Sequence, residues 1–311
     1  MKNFTEKIEA IEMEPVKVGV IGCGAMGRGI IKNLVKGGYE VYAYDVNEQA
    51  LHSVAELGAQ TTFEKEHVYS QVHYLITSLP TTQLVEETIV GENGALYSMR
   101  KGTSILDVST TDVEVTRQIF EQAKQKGISF FDCPLSGGPD GAERGELTIV
   151  VGGDAVQFEQ ISPVLRVIGK EIEYIGESGS GQVIKLCNNI VVAGIVTLLS
   201  ESLLTGVKAG VPAEKIASML QKGSAQTKVM SVFGPNLIDG DHENVKFMLQ
   251  HMSKDIKLYL DLATQEKIPT FFSAMIDHFY TIAKNNGKGA LDTSAVSQVL
   301  EELANATIVS K

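Results

Sequence analysis

The chain has 311 residues, of which 43% are hydrophobic and 21% charged, a balance typical of a globular protein with room for two domains. Its formal net charge of −11 argues against nucleic acid and anionic membranes as partners. Cys23, Cys133 and Cys187 are far apart and form no CxxC pair. Neither a disulfide framework nor a cysteine-rich zinc site is therefore expected, and a cytoplasmic location fits this cysteine usage.

The N-terminal segment, residues 1–15, carries two lysines among four glutamates and contains no continuous apolar run. A segment this acidic is a poor secretory signal or transit peptide. The sequence therefore predicts a short extension ahead of the folded part.

The first half of the chain alternates short β-branched runs with helical patterns, which is typical of a parallel sheet with helices on its faces. One helix is predicted over 26–36 and another over 112–126, the latter with Asp112 as its N-cap and Gly127 at its end. The predicted strands are 16–21, 39–44, 74–79, 104–108, 129–132, 147–151 and 173–175. This order predicts an α/β fold with a doubly wound parallel sheet over residues 16–178.

The second half shows only helical patterns. Helices are predicted over 181–209, 213–221, 245–263 and 269–284, and the glycine-rich joint at 177–181 separates this all-helical domain, residues 179–311, from the sheet. Its most membrane-like stretch, 185–201, is shorter than the roughly 20 residues that a spanning helix needs. A buried helix is therefore expected there, and no membrane span.

A glycine-rich segment, Gly22-Cys23-Gly24-Ala25-Met26-Gly27, directly follows the first predicted strand and opens the next helix. In this setting the first glycine permits a tight turn, the second lets the backbone approach a pyrophosphate, and the third lets helix and strand pack closely. Asp45 ends the second strand, where a carboxylate can accept hydrogen bonds from ribose hydroxyls, and no arginine closely follows it. The pattern predicts a Rossmann-type domain that binds NAD rather than NADP; a structural turn beside a solvated Asp45 is the alternative.

Lys185 lies near the start of the long, otherwise apolar helix, so it must snorkel, pair or face a polar cleft. Burial disfavours the charged amine and could suit it to proton transfer. Asn188 and Asn189 lie three and four residues further on, which places them on the same helical face. A proton-transferring lysine and a domain-interface lysine bound to loop carbonyls both remain open.

The loop Ser136-Gly137-Gly138 follows a predicted strand and exposes backbone N–H groups that could hold a small carboxylate; a plain turn is the alternative. The six histidines show no ligand spacing, so no metal site is predicted.

Several motifs in one order resemble the β-hydroxyacid dehydrogenase family, the group containing 3-hydroxyisobutyrate dehydrogenase and tartronate semialdehyde reductase. The resemblance runs from about residue 16 to the end of the chain. Its motifs are the turn 22–27, Leu79-Pro80, Asp107-Val108-Ser109-Thr110, 132–138 with Gly141-Ala142, Gly179-Ser180-Gly181 leading to 185–189, and Lys254-Asp255.

This resemblance implies roles for individual residues. Lys185 corresponds to the family's general acid and base, and Asn189 to the amide that orients the substrate. The substrate carboxylate is expected to bind the loop formed by Ser136, Gly137 and Gly138. Contacts to the cofactor on its nicotinamide side are implied for Leu79, Pro80 and Thr110, and Lys254 corresponds to a lysine between cofactor and substrate.

Asp255 either supports Lys254 or is a helix-surface acid. Residues that could shape the pocket are Phe247, Met248 and His251, although a core stripe also explains the first two.

The predicted function is that of an NAD-dependent oxidoreductase interconverting a small 3-hydroxy acid and its semialdehyde. Tartronate semialdehyde and 2-(hydroxymethyl)glutarate are alternative substrates. A non-catalytic dinucleotide-binding scaffold is the alternative class, but it need not carry Lys185 and Asn189 together; an imine reductase of the same fold is disfavoured because those relatives usually replace the lysine. The apolar long helix predicts a homodimer or homotetramer.

Overall fold

The computed structural model describes residues 15–309, so the predicted N-terminal extension lies, except for Pro15, outside the described residues. One sheet occupies the first half. Its strands are β1 Lys17–Ile21, β2 Glu40–Tyr44, β3 Gln60–Thr61, β4 Tyr74–Thr77, β5 Ser104–Asp107, β6 Ser129–Asp132, β7 Leu135–Ser136, β8 Leu147–Gly152 and β9 Gly169–Gly176.

The strand order is β3-β2-β1-β4-β5-β6-β8-β7, with β9 on β8. Strands β1 to β6 are all parallel, as predicted, whereas β8 runs antiparallel to β6 and β7. The connection from β7 to β8 is too short for a parallel crossover, which needs about a dozen residues or more. The sheet is therefore mostly parallel, but β8 and its parallel neighbour β9 run in the opposite direction to β1–β6. The sequence predicts strands at both places but not their reversal.

Helices cover both faces of this sheet. They are α1 Ala25–Lys36, α2 Glu48–Ala55, α3 Lys65–Gln71, α4 Thr82–Ile89, α5 Ala95–Ser98, α6 Val113–Lys126, α7 Gly138–Arg144 and α8 Phe158–Ile168. The predicted ends of α6 are confirmed: the Asp112 side chain accepts hydrogen bonds from two backbone N–H groups of its first turn, and Gly127 ends it in the left-handed conformation, with φ of 72°. A carboxylate at the N-cap and a glycine after the last turn satisfy otherwise unpaired helix-end groups.

Alternate residues of the central strands enter two different cores. Ile76, Leu106 and Phe131 pack on one face, while their neighbours Leu75 and Phe130 pack on the other. Side chains alternate between faces along a strand, so a run of consecutive apolar residues is buried on both sides. Because β1 to β6 pair in parallel, their carboxyl ends lie along a single edge.

The second half is helical, with α9 Ser180–Lys208, α10 Ala213–Lys222, α11 Lys228–Asp239, α12 Leu249–Gln265, α13 Phe271–Ala283 and α14 Ser297–Ala304. A π-turn follows α13 and a 3-10 turn precedes α14. The sequence prediction missed α11 and α14. Pro235 lies inside α11 and interrupts the usual helical signal, and α14 has only 8 residues.

Helix α9 is the central element of this half. Among the described residues it is the one helix long and apolar enough, by length and composition, to cross a membrane, and 44% of its most apolar window is buried. Its buried residues include the polar side chains of Gln182, Lys185 and Asn189. The helix predicted over 181–209 is confirmed within one residue at each end.

The start of α9 is capped from the sheet. Asp132, at the end of β6, accepts hydrogen bonds from the backbone N–H groups of Gly179 at 2.8 Å and Gln182 at 3.0 Å. Burial raises the pKa of Asp132, while these two bonds act in the opposite direction. A carboxylate at a helix N-terminus satisfies unpaired N–H groups and is favoured by the helix dipole. The cap therefore joins the carboxyl edge of the sheet to α9.

A second buried acid, Asp107 at the end of β5, makes stability depend on pH. Burial raises its pKa from 3.8 to about 6, although Thr77 Oγ1 and Ser109 N–H donate to its Oδ1 at 2.8 and 3.1 Å. The folded state therefore binds this proton more tightly than the unfolded state, and the resulting stability is present at low pH and lost as pH rises through about 6. Relative to Asp107→Asn, the parent should lose about 3 kcal/mol between about pH 4 and pH 7.

Urea unfolding of both proteins across this pH range measures the difference. Asp261→Asn, which removes an exposed carboxylate from α12, is the control for the loss of one charge. Unfolding free energies of parent and Asp107→Asn that stay parallel across the range would contradict the prediction.

Candidate active site

The glycine-rich turn lies between β1 and α1, and two of its glycines are sterically required. Gly22 has a φ of 98°, and a Cβ on it would lie 2.2 Å from the carbonyl oxygen of Ser78. A Cβ on Gly27 would lie 1.9 Å from the carbonyl oxygen of Gly22. No side chain fits at such distances, so these glycines allow the tight turn and the close approach of α1.

Gly24 differs from the other two, because a Cβ on it would meet no atom within 4 Å. It is the N-cap of α1 and no side chain caps this helix. The helix therefore presents free N–H groups and its positive dipole end to open space, the arrangement that binds phosphate groups. The space above Gly24 is a cradle that a side chain would fill.

Asp45 follows β2 beside this turn. Its Oδ2 accepts a hydrogen bond from Cys23 N–H at 2.6 Å, and its Oδ1 accepts one from Asn47 N–H at 2.8 Å. Each carboxylate oxygen retains a lone pair that can accept from a ribose hydroxyl. Within residues 15–309 no lysine or arginine pairs with Asp45, so a 2′-phosphate would meet an unneutralised negative charge.

Asp45→Ser is expected to weaken NAD binding by about tenfold, or 1.4 kcal/mol, because two ribose acceptors are lost. The preference for NAD over NADP should fall at the same time, since the carboxylate no longer repels a 2′-phosphate. Fluorescence titration with NADH and NADPH measures both. Asp154→Ser is the matched control, because Asp154 also accepts from a backbone N–H two residues on; an unchanged ratio of the two affinities in Asp45→Ser would contradict the prediction.

Leu79, Pro80 and Thr110 follow β4 and β5 and lie at the same edge of the sheet as the glycine-rich turn. The Leu79 N–H donates to Ser109 Oγ at 2.9 Å, which joins the two loops. The carbonyl oxygen of Thr110 accepts a hydrogen bond from Lys254 Nζ. The three predicted cofactor contacts and Lys254 are thus brought together.

Lys185 is buried on α9, with 9% of the residue exposed. Its Nζ donates to the carbonyl oxygen of Leu135 at 2.6 Å and lies 5.9 Å from the centre of the Phe247 ring. Burial lowers the pKa of Lys185, the charge of Lys254 lowers it further, and Asp255 raises it. Burial disfavours the ammonium form, so the amine exchanges its proton more readily than an exposed lysine. Lys185 therefore binds a loop carbonyl, as the domain-interface interpretation predicts. Proton transfer by the same amine stays a prediction, with which its lowered pKa agrees.

Asn189 lies one turn further along α9 and connects to α12. Its Nδ2 donates to Asp255 Oδ2 at 2.6 Å, and Lys254 Nζ lies 2.9 Å from Asp255 Oδ1. The Asp255 side chain is only 2% exposed, so it is not a helix-surface acid. It orients Asn189 and Lys254 toward one another.

The segment predicted as a flexible loop is a tight strand-to-helix turn, because Ser136 ends β7, Gly137 is the N-cap of α7 and Gly138 is its first residue. This turn, still called the Ser136-Gly137-Gly138 loop, begins at the residue after Leu135, whose carbonyl binds Lys185. Gly137 and Gly138 have φ angles of 127° and 63°, a region that favours glycine. A Cβ on Gly138 would lie 3.1 Å from the carbonyl oxygen of Lys246. The loop therefore lies between Lys185 and the segment that precedes α12.

No metal site is evident in the described part of the chain, where no group of three or more His, Cys, Asp or Glu residues is placed to hold an ion. The polar groups that the structure gathers at the site are lysines, amides and backbone N–H groups.

Comparisons with known proteins show what the chain is similar to. A family model for the NAD-binding domain of 6-phosphogluconate dehydrogenase matches residues 17–176, and one described as NAD-binding of NADP-dependent 3-hydroxyisobutyrate dehydrogenase matches residues 179–300. The 2-(hydroxymethyl)glutarate dehydrogenase of Eubacterium barkeri is 34% identical over 293 residues, 94% of this chain and 97% of the relative. The 2-hydroxy-3-oxopropionate reductase of Escherichia coli (strain K12) is 32% identical over 290 residues, 93% of this chain and 99% of the relative.

The chain belongs to the β-hydroxyacid dehydrogenase family. It is accordingly an NAD-dependent oxidoreductase. The solved structure of 3-hydroxyisobutyrate dehydrogenase from Mycobacterium tuberculosis with L-serine has the same fold, with a TM-score of 0.85 at 25% identity, covering 92% of this chain and 99% of that one. The resemblance predicted from the motifs is confirmed.

The residues present in this dehydrogenase fit NAD. The open cradle above Gly24 and the uncapped start of α1 accommodate a pyrophosphate, and Asp45 offers carboxylate oxygens for a ribose. Leu79, Pro80 and Thr110 would border the nicotinamide at the carboxyl ends of β4 and β5, where ligands of such sheets bind.

Two buried residues that support the cleft of this dehydrogenase were not among the predicted site residues. Gln182 is a polar residue in an apolar helix, three positions before Lys185, and this pattern could have identified it. Asp292 accepts hydrogen bonds from Lys246 N–H at 2.8 Å and Phe247 N–H at 3.1 Å, and so fixes the segment that carries the Phe247 ring. Its partners lie more than 40 residues earlier in the chain, so no local signal indicates this contact.

Proposed function

We propose that this protein interconverts a small 3-hydroxy acid and its semialdehyde with NAD, and that Lys185 exchanges the hydroxyl proton. The observation that carries the proposal is the position of Lys185: its buried Nζ binds the Leu135 carbonyl, one residue before the Ser136-Gly137-Gly138 loop. A proton-transferring amine is thereby adjacent to a loop suited to a carboxylate. A hydroxy acid carries both groups.

Each part of the cleft has a task in the proposed reaction. The bound NAD supplies the nicotinamide that accepts or donates hydride. In reduction, the Lys185 ammonium donates a proton to the carbonyl oxygen; in oxidation, the neutral amine takes the hydroxyl proton. The N–H groups of the Ser136-Gly137-Gly138 loop bind the carboxylate. Asn189 orients the substrate through its amide, held in place by Asp255, and Lys254 contributes positive charge between cofactor and substrate.

An NADH-monitored screen tests this function. The panel contains 3-hydroxyisobutyrate, tartronate semialdehyde, 2-(hydroxymethyl)glutarate and other short hydroxy acids and semialdehydes, because the curated relatives carry names from this group. Turnover of at least one member is expected. NADH binding without turnover of any member would instead favour the non-catalytic dinucleotide-binding scaffold.

We also propose that residues 16–178 form the NAD-binding domain and 179–311 the helical substrate and oligomerisation domain. The second domain carries apolar residues that are exposed in a single chain. They are Ile184, Val191 and Leu198 on α9 and Phe271, Phe272 and Met275 on α13. Exposed apolar patches of this kind mark protein interfaces, which supports a homodimer or homotetramer, measurable by light scattering.

The net charge and cysteine usage support a cytoplasmic protein that binds neither nucleic acid nor membranes.

A further inference from the structure

A glutamine on the catalytic helix holds the loop at the end of β5 by both ends of its amide. Gln182 Oε1 accepts a hydrogen bond from Thr111 N–H at 3.1 Å, and its Nε2 donates to the Ser109 carbonyl oxygen at 2.9 Å. The side chain is fully buried, with 0% exposure. Its own backbone N–H donates to Asp132 at 3.0 Å, so the residue that holds the loop is itself fixed to the sheet.

The residue between the two bonded positions is Thr110. Its carbonyl oxygen accepts from Lys254 Nζ, and Leu79 N–H donates to Ser109 Oγ in the same loop. The loop is therefore held through its backbone from α9 and α12, and through the Ser109 hydroxyl from the loop after β4. A carboxamide side chain offers a neutral donor and an acceptor in one plane without having to bind a proton. The backbone carbonyl and the backbone N–H on either side of Thr110 require this pair of groups.

Gln182 lies three residues before Lys185 on the same helix, and residues at this spacing lie on one face. A displacement of the loop relative to α9 would therefore change the separation between Thr110 and Lys185. Losing one of the two amide contacts would also leave a buried polar group without a partner, at a cost that favours such a displacement.

We propose that Gln182 is a positioning residue that clamps the 109–111 loop to α9 and thereby sets the distance between the nicotinamide side of the cleft and Lys185 Nζ. This inference rests on the proposed function. Misplacement of reacting groups by about 1 Å can lower a rate by about 100-fold, so the clamp acts on hydride and proton transfer and not on overall NAD affinity.

The experiment compares Gln182→Met, which keeps the length of the side chain without its polar atoms, with Gln182→Glu. In Gln182→Met, kcat should fall by about 100-fold, with NADH affinity within about threefold of the parent. The exposed Gln118→Met on α6 is the matched control and should behave as the parent.

Gln182→Glu adds a second test, because a merely structural role of Gln182 would not make the kcat of this variant depend on pH. The protonated carboxyl group can donate to Ser109 and accept from Thr111, as the amide does, whereas the ionised form repels the Ser109 carbonyl oxygen. Its kcat relative to the parent should therefore fall as pH is raised, while the deficit of Gln182→Met stays constant. The charged groups nearest this position are Asp107, through the Thr111 hydroxyl, Asp132 at the Gln182 backbone and Lys254 through Thr110. Lys185 lies three residues further along the same helix.

Amide hydrogen exchange of the cofactor-free proteins gives a readout independent of turnover. The Thr111 N–H should exchange at least about tenfold faster in Gln182→Met than in the parent and in Gln118→Met. Equal exchange, or a kcat of Gln182→Met within about threefold of the parent, would overturn the clamp. If the parent turns over no member of the substrate panel, only the proposed function is refuted, because the exchange rates still test whether Gln182 clamps the loop. If Gln182→Met melts far below the parent, Gln182→Glu measured at low and high pH replaces it.

Discussion

Lys185→Met is expected to lower kcat for hydroxy acid oxidation by about 1,000-fold, within the range that a positioned general base contributes. Methionine keeps the length of the side chain and tolerates burial, but it can neither take nor donate a proton. The proton of the substrate hydroxyl would then have to leave without a base in reach. NADH affinity should stay near that of the parent, because the cradle above Gly24 and Asp45 are unchanged.

Steady-state kinetics and NADH titration of the purified variant measure both quantities. Lys257→Met is the matched control, because Lys257 is an exposed lysine on α12, close in sequence to Lys254 but outside the cleft. A kcat of Lys185→Met within about tenfold of the parent would assign the proton transfer to another group. Equal losses in Lys185→Met and Lys257→Met would point to an effect on folding.

Gly24→Val is expected to weaken NAD binding by about 100-fold, or 2.7 kcal/mol, while leaving the protein folded. The added side chain would occupy the cradle in which the pyrophosphate is expected to bind. Gly24 has φ of −62° and ψ of −169°, outside the left-handed region in which only glycine is unstrained. Nothing in the structure lies within 4 Å of the new Cβ, and the loss of the glycine N-cap costs about 1 kcal/mol at most.

Thermal melting and NADH titration separate the two effects. Gly223→Val is the matched control, since Gly223 also lies at a helix end with negative φ, and a Cβ added there would have no atom closer than 3.6 Å. Both variants should melt close to the parent, and only Gly24→Val should lose NAD affinity. Normal affinity in Gly24→Val would place the cofactor elsewhere.

Much of the first half could be predicted from local sequence. Buried parallel strands appear as continuous apolar runs because both faces are covered, so most of the long strands were predicted within a few residues. The glycine-rich turn could also be predicted from local sequence. Gly22 and Gly27 are each required by a close contact within one strand-turn-helix unit, so the requirement appears in the sequence as closely spaced glycines. The reversal of β8 was not predicted, since strand direction depends on the connection and not on the strand's own residues.

The site was only partly predictable, because contacts between distant segments of the chain hold it together. Lys185 can be identified from local sequence as a lysine in an apolar helix, and the family motifs indicate the other site residues. The contacts that hold it are long-range: Asp132 caps α9 from β6, Asp255 reaches Asn189 from α12, and Gln182 binds a loop more than 70 residues earlier.

The sequence by itself determined the element types, the glycine-rich turn and the residue types available for proton transfer, because these depend on periodicity, backbone conformation and chemical identity within a short segment. Only the tertiary structure decided that Asp255 is buried, that Lys185 binds the carbonyl beside the Ser136-Gly137-Gly138 loop, and that Gln182 joins the loop after β5 to α9. Each of these depends on which polar groups meet where two separately folded segments exclude water, and no single segment contains that information.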